Sequence, residues 1–151
     1  MMKEMVYEYK RGQPTYILDK GIIAGYEYLI ISLGRHPCGY VCLRENDIYY
    51  GKDYSEIPID CHGGLTFSED HITFLDYSEK YQCMTRQSVK DKWIIGWDYA
   101  HYGDYSPFDK SGKKWSTLEI KKHCYEVIKQ LLFDNYNDKI KRAKKLLGDI
   151  K

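Results

Sequence analysis

The chain has 151 residues, with 23 basic and 22 acidic side chains and a formal net charge of +1. This length predicts one domain that folds without disulfides or a structural metal. The balanced charge argues against a general nucleic-acid binder, and no apolar run approaches the roughly 18 residues that span a bilayer. Charges stand where a signal peptide would have its apolar core. We therefore expect a cytoplasmic protein with no membrane partner.

Cysteine and tyrosine contents are both informative. The five cysteines are odd in number and include no C-x-x-C pair, which predicts free thiols. The 16 tyrosines outnumber the 4 phenylalanines. A tyrosine ring has an apolar face and a polar tip, which suits stacking against a planar ligand. The same residue is equally common on half-exposed strands of small β-rich domains, so both interpretations stay open.

The first 105 residues are predicted to form a mostly antiparallel sheet. Runs rich in β-branched and aromatic residues, bounded by turn residues, indicate strands at 5–9, 15–18, 25–33, 38–43 and 92–98. The polar, tyrosine-rich segment 44–60 is predicted to be a surface loop. Segment 69–91 is weakly patterned and receives no assignment. These elements form the β-rich part of a single domain that covers residues 1–151.

The C-terminal third is predicted to be helical, which makes the fold α+β. Ser116 and Glu119 form a capping box at a helix start. The polar stretch 134–137 is predicted to separate this helix from a second one, so that two helices occupy 116–150. Their apolar stripes need the sheet or another subunit, which predicts a homodimer or higher oligomer. The tail 138–151 carries six basic and two acidic residues. It is either a solvated face or a docking element.

Two loop segments at predicted strand ends carry groups that bind phosphate. The ligand-binding candidates in them are Arg35, His36, His62, Gly63, Gly64 and Thr66. An arginine offers a bidentate fork to phosphate or carboxylate. Paired glycines let backbone amides approach an anion closely. The spacing matches neither the P-loop nor the dinucleotide fingerprint, and a Gly-Gly turn between strands explains it equally well.

A third segment, 96–105, brings carboxylates and a histidine together. Asp98, His101 and Asp104 are spaced by three residues. A carboxylate beside a histidine orients its tautomer, as in a general base. With His62 the same set has the ligand types for a divalent metal, and without function the aspartates simply cap turns. Trp97 is either a stacking platform for a base or a core residue. We assign no metal and no cofactor.

Four motifs together carry a resemblance. They are HPCGY at 36–40, YGKDY at 50–54, HGGLT at 62–66 and GWDYAHYGD at 96–104. As a set they resemble a family of small, largely uncharacterised proteins encoded by phages and prophages of Gram-positive bacteria. The resemblance covers roughly residues 26–104. It implies a phage origin and carries no activity that transfers to these residues.

Small phage proteins without a structural or replication signature often act in counter-defence. The resemblance therefore implies a counter-defence role by association only. The leading hypothesis is a protein that binds and sequesters a nucleotide-derived immune signal in the bacterial cytoplasm. A second is a phosphodiesterase or glycosidic hydrolase in which His101 is the general base and Asp98 or Asp104 orients it. A third is an anti-CRISPR-like inhibitor that uses the basic C-terminal helices to bind a defence complex.

Overall fold

The computed structural model describes residues 4–8, 14–32, 36–70, 72 and 92–148. Arg35 and most of segment 69–91 lie outside the described residues. Within these residues six strands form one sheet in the order β1-β2-β3-β4-β6-β5, and every neighbouring pair is antiparallel. The strands are β1 Glu4–Glu8, β2 Pro14–Ile23, β3 Tyr26–Ser32, β4 Pro37–Arg44, β5 Phe67–Glu69 and β6 Lys92–Asp98. A 3-10 turn occupies Tyr54–Glu56, and one helix, α1, spans Thr117–Leu147.

The α+β class is confirmed, and two strand predictions need correction. Strand β2 extends to Ile23, well past the predicted end at residue 18. It forms a hairpin with β3 through Ala24 and Gly25, whose φ angles are 50° and 84°. Two consecutive positive φ angles are typical of the two-residue turns that match strand twist. Strand β5 was not predicted, because its three residues show no recognisable period.

Glycines opposite aromatic rings let β4 and β6 pack closely. In the β4–β6 pairing Gly39 lies opposite Trp97, and Tyr40 lies opposite Gly96. A Cβ atom on Gly39 would lie 2.6 Å from the Trp97 ring. Each large ring therefore covers the bare backbone of the neighbouring strand, which excludes any larger residue at the glycine.

Helix α1 packs against one face of the sheet. Its capping box is present as predicted: the Ser116 hydroxyl accepts from Glu119 N, and the Glu119 carboxylate accepts from Ser116 N. The buried helix residues form one stripe, Ile120, Cys124, Val127, Ile128 and Leu131. Burying each large aliphatic side chain stabilises the fold by roughly 1.5–3 kcal/mol. The opposite face of the sheet buries a second cluster around Ile31 and Ile94.

The prediction of two C-terminal helices is wrong, because α1 runs through 134–137 without interruption. The polar residues there bond sideways instead of ending the helix. Tyr49 donates its hydroxyl proton to Asp134 at 2.6 Å. The Asn135 side chain accepts from Ile48 N at 3.0 Å and donates to Asp47 at 2.6 Å. The loop after β4 thus satisfies groups that would otherwise favour a break.

The described part of the chain contains no helix that is long and apolar enough to cross a membrane. Four of the cysteines are free thiols in the structure, namely Cys38, Cys42, Cys61 and Cys124. Cys83 lies outside the described residues. Three of the four are buried, and burial raises the pKa of the Cys38 and Cys124 thiols to about 12. These thiols are therefore protonated and unreactive at neutral pH.

We predict that Asn135→Ala lowers the free energy of unfolding by about 1–3 kcal/mol, because it leaves Ile48 N without its acceptor and removes a donor from the buried Asp47 carboxylate. Urea unfolding followed by circular dichroism measures this. Asn137→Ala is the matched control, since Asn137 is exposed on the same helix. Equal stability of the two variants would contradict the role assigned to Asn135.

Candidate functional site

A buried carboxylate, Asp104, lies at the centre of the candidate site. Its side chain is 4% exposed and accepts three hydrogen bonds. The donors are His62 Nε2 at 2.8 Å, Trp115 Nε1 at 2.8 Å and the His101 backbone N–H at 2.9 Å. These groups come from three segments of the chain that are far apart in sequence. Asp104 therefore joins the 61–66 loop, the loop after β6 and the approach to α1.

Backbone bonds shape each of these segments. Gly64 N donates to Cys61 O at 3.0 Å, which closes a tight turn around Gly63, whose φ is +69°. On the other side, Lys113 N donates to Gly103 O at 2.7 Å. Tyr105 N donates to Lys113 O at 2.9 Å. After β6 the chain therefore forms a loop over residues 105–112 and returns beside Asp104 just before α1 begins.

The hydrogen bonds around Asp104 favour its charged form. Burial alone would raise the pKa of this carboxyl group, but the bonds from His62, His101 N and Trp115 outweigh burial and lower it. An ionised carboxylate can only accept, so His62 Nε2 must carry a proton. The other nitrogen, Nδ1, is then the acceptor in the neutral ring. Asp104 therefore fixes one tautomer of His62.

An aromatic stack continues from His62 into the core. The rings of His62, Tyr99 and His123 are nearly parallel, with His62 and Tyr99 centroids 4.6 Å apart. Trp115 packs at a steep angle to His62, at 4.9 Å between centroids. Trp97 Nε1 donates to the Tyr99 oxygen at 2.9 Å, and the Tyr99 hydroxyl lies 2.6 Å from His123 Nδ1.

Proton positions along this chain of bonds follow from the surroundings. Burial lowers the pKa of His123 and raises that of Tyr99. The imidazole is therefore neutral and the phenol protonated at neutral pH. The phenol oxygen already accepts from Trp97, so its own proton goes to His123 Nδ1. Two hydrogen bonds through Tyr99 therefore connect the buried Trp97 of β6 to His123 in the second turn of α1.

The predicted catalytic residues lie near one another, and Asp98 is the carboxylate beside the His101 ring. His101 Nε2 lies 3.2 Å from Asp98 Oδ1 but makes no hydrogen bond in the described structure. Its ring packs on Gly63, where a Cβ atom would lie 2.1 Å from Nε2. The other Asp98 oxygen, Oδ2, accepts from Thr66 Oγ1 at 3.2 Å. Asp104 bonds the backbone of His101, and the imidazole that it orients belongs to His62.

The predicted ligand-binding residues fall into separate positions. The Gly64 N–H donates within the 61–64 turn and is not free to bind an anion. The Gly-Gly pair therefore forms a turn, as the alternative interpretation of its sequence predicts. Trp97 is 1% exposed and lies in the core, so its faces do not meet a cleft. His36 follows the undescribed Arg35 and lies at the surface between two clefts. Among the described ligand-binding candidates, only His36 lines either of them.

The two clefts differ in their chemistry. One has a volume of about 350 Å³ and is polar and cationic on one side, with Lys113, Lys114 and the start of α1 in its wall. The other has a volume of about 420 Å³ and lies over His101 and Asp104. Its wall also includes Tyr102 and Phe108, whose side chains are 105% and 89% exposed. His36 lines both clefts.

Several of these residues were missed in the sequence. Lys113, Lys114 and Trp115 directly precede the capping box, and a Lys-Lys-Trp run at a helix start was a readable signal for an anion site. His123 was hidden because it lies within a helical pattern. Among the described residues, no group of three or more His, Cys, Asp or Glu side chains is arranged to hold a metal ion.

No family model, curated protein or solved structure matches this chain.

We predict that Asp104→Asn lowers the free energy of unfolding by about 2–4 kcal/mol at pH 7, because an amide cannot replace an anion that accepts three bonds. The lowered pKa of Asp104 means that its contribution is present above the ordinary value of 3.8 and lost as the pH falls further. The difference between wild type and variant should therefore shrink below pH 4. Urea unfolding from pH 7 to pH 3 measures it, with the exposed Asp60→Asn as control. A difference independent of pH would contradict a role for the charge.

We also predict that Gly63→Ala is more destabilising than Gly64→Ala, by about 1–3 kcal/mol. Both glycines have positive φ, at 69° and 83°, so both substitutions strain the backbone. Only Gly63 faces a neighbour, the His101 ring, whereas nothing lies within 4 Å of a Cβ on Gly64. Thermal unfolding of the two variants isolates the contact. Equal losses would show that His101 moves away without cost.

Proposed function

We propose that this chain binds a nucleotide-derived immune signal in the two clefts that share His36, and that it sequesters the signal as a phage-encoded counter-defence protein. The observation that carries the proposal is that a cationic cleft and an aromatic-rimmed cleft share one lining residue, His36. The resemblance of the sequence motifs to phage proteins supports the biological setting.

The cleft with the two lysines suits phosphate. Lys113 and Lys114 provide positive charge beside the start of α1, where the helix dipole favours an anion. The Lys113 ammonium now pairs with Glu119 at 2.7 Å and lies 3.9 Å from the Trp115 ring centroid. This side chain is 52% exposed. A surface ion pair contributes little, so a phosphate can compete for the ammonium at low cost.

The other cleft suits a planar base. Tyr102 and Phe108 are almost completely exposed at its rim. Exposed rings gain by covering their faces, and stacking one base on an aromatic side chain contributes about 1–3 kcal/mol. Volumes of about 350 and 420 Å³ each fall within the range of small-molecule sites. A ligand with a phosphate at one end and a base at the other would span His36.

Hydrolysis of such a ligand is the second candidate. The pairing of His62 with Asp104 favours it, because the carboxylate holds the proton on Nε2 and leaves Nδ1 as a proton acceptor. His62 then replaces His101 as the general base. His62 does not line either cleft, which makes capture without cleavage the leading proposal.

The test incubates the protein with cyclic dinucleotides and ADP-ribose-derived nucleotides and follows them by chromatography before and after heat denaturation. We expect at least one nucleotide to disappear from solution and to return intact on heating. New product peaks would instead support hydrolysis. If every nucleotide stays free and unchanged, the binding proposal is wrong.

Variants then locate the site. We expect Lys113→Ala/Lys114→Ala to weaken binding of the captured nucleotide at least about tenfold, because two phosphate contacts are lost. Tyr102→Ala/Phe108→Ala should weaken it by a similar factor through lost stacking. Lys141→Ala/Lys144→Ala removes the same charge from exposed positions at the far end of α1 and is the control. Equal weakening in the control would show that the loss of binding comes from the change in net charge and not from these two lysines in particular.

A further inference from the structure

Helix α1 has a second apolar face that the sheet does not cover. Besides the buried stripe, five large apolar side chains lie on one side of the helix and are between 45% and 62% exposed: Leu118, Tyr125, Leu132, Tyr136 and Leu147. At 3.6 residues per turn they fall within about 60° of one another around the axis. We call this set the outer stripe. It follows the helix for about 44 Å.

Charge borders the outer stripe with a single sign. By the same helical geometry, Lys121 and Lys139 lie along one edge of the stripe, and Lys122 and Lys129 lie along the other. The acidic residues of α1 lie farther from the stripe than these lysines. Glu126 and Glu119 lie about 40° and about 60° beyond Lys122, and Asp134 and Asp138 lie on the opposite side of the helix. An apolar seam with cations on both sides is complementary to a seam with anions on both sides.

A groove in the protein surface lies beside the middle of the outer stripe. Its volume is about 520 Å³, and Leu132, Tyr136 and Lys139 form its helical wall. The opposite wall comes from the β2–β3 turn and from Arg44, an exposed cation. Asp47 also lines it, but this carboxylate is 8% exposed and already accepts bonds from Tyr26 and Asn135. The groove therefore adds one more accessible positive charge beside the stripe.

We propose that the outer stripe and its groove bind an amphipathic helix of another protein, whose apolar seam is bordered by glutamate or aspartate. A second copy of this chain fits less well, because two outer stripes would bring lysines against lysines in either orientation. Each opposed pair of like charges disfavours such a dimer. The proposal does not depend on the ligand of the His36 clefts.

The test uses two synthetic helical peptides that share a leucine seam and differ only in carrying Glu or Lys on both sides of it. Fluorescence anisotropy measures their binding to the full chain. We expect the Glu peptide to bind at least about tenfold more tightly than the Lys peptide, and added salt to reduce the difference. Equal affinity for the two peptides, or binding of neither, would overturn the proposal.

Two sets of variants sharpen the result. Leu132→Glu should abolish binding of the Glu peptide, whereas Asn137→Glu, on the same helix outside the stripe, should reduce it far less. Lys122→Glu/Lys129→Glu should improve binding of the Lys peptide, a gain that general loss of structure cannot produce. Sedimentation completes the test. A dimer of the chain that Leu132→Glu dissociates would show that a second copy covers the stripe, against the proposal.

Discussion

The arrangement of the site depends on one buried anion. Asp104 accepts from two side chains and one backbone N–H, and these donors belong to the loop before β5, the loop after β6 and the residue before the α1 cap. A carboxylate with so little exposure is stable only when its oxygens are bonded. The positions of all three segments follow from meeting this requirement together. The clefts beside His36 take their shape from the same loops.

The site combines a fixed interior with an exposed rim. His62, Tyr99 and His123 are stacked and bonded in one direction, so their rings have few alternative positions. Tyr102 and Phe108 are almost completely exposed, and Lys113 is half-exposed and held only by a surface ion pair with Glu119 and by the Trp115 ring. Pre-organised backing with adaptable contacts at the edge is typical of small-molecule sites. The oriented histidine, His62, lines neither cleft, which is why we propose capture rather than cleavage.

Local patterns were sufficient to predict the helix start, the central strands and the α+β class. The capping box at Ser116 and the apolar runs of β3 and β4 each specify an element by nearby residues alone. The C-terminal helix was divided wrongly because Asp134 and Asn135 are unfavourable locally. Their partners, Tyr49 and the loop after β4, are more than 80 residues away in sequence. No local pattern contains that information.

The candidate site shows the same division. The sequence singled out His62, His101 and Asp104, and the structure brings them together. Which histidine receives the carboxylate could not be predicted, because residue spacing favoured His101, only three positions away. The choice of His62 depends on the turn at 61–64 and on the space that Gly63 leaves for the His101 ring. These are properties of the folded backbone.

An unbroken α1 also fixes the angular relation between its two ends. The first turn lines a cleft beside His36, while residues 141–148 are entirely exposed. Each residue of a helix advances about 100° around the axis. Inserting one residue after Asn137 would therefore rotate everything beyond it by more than a quarter turn, while the clefts stayed unchanged. The number of residues in α1 therefore determines in which direction the side chains of its distal end point relative to the sheet.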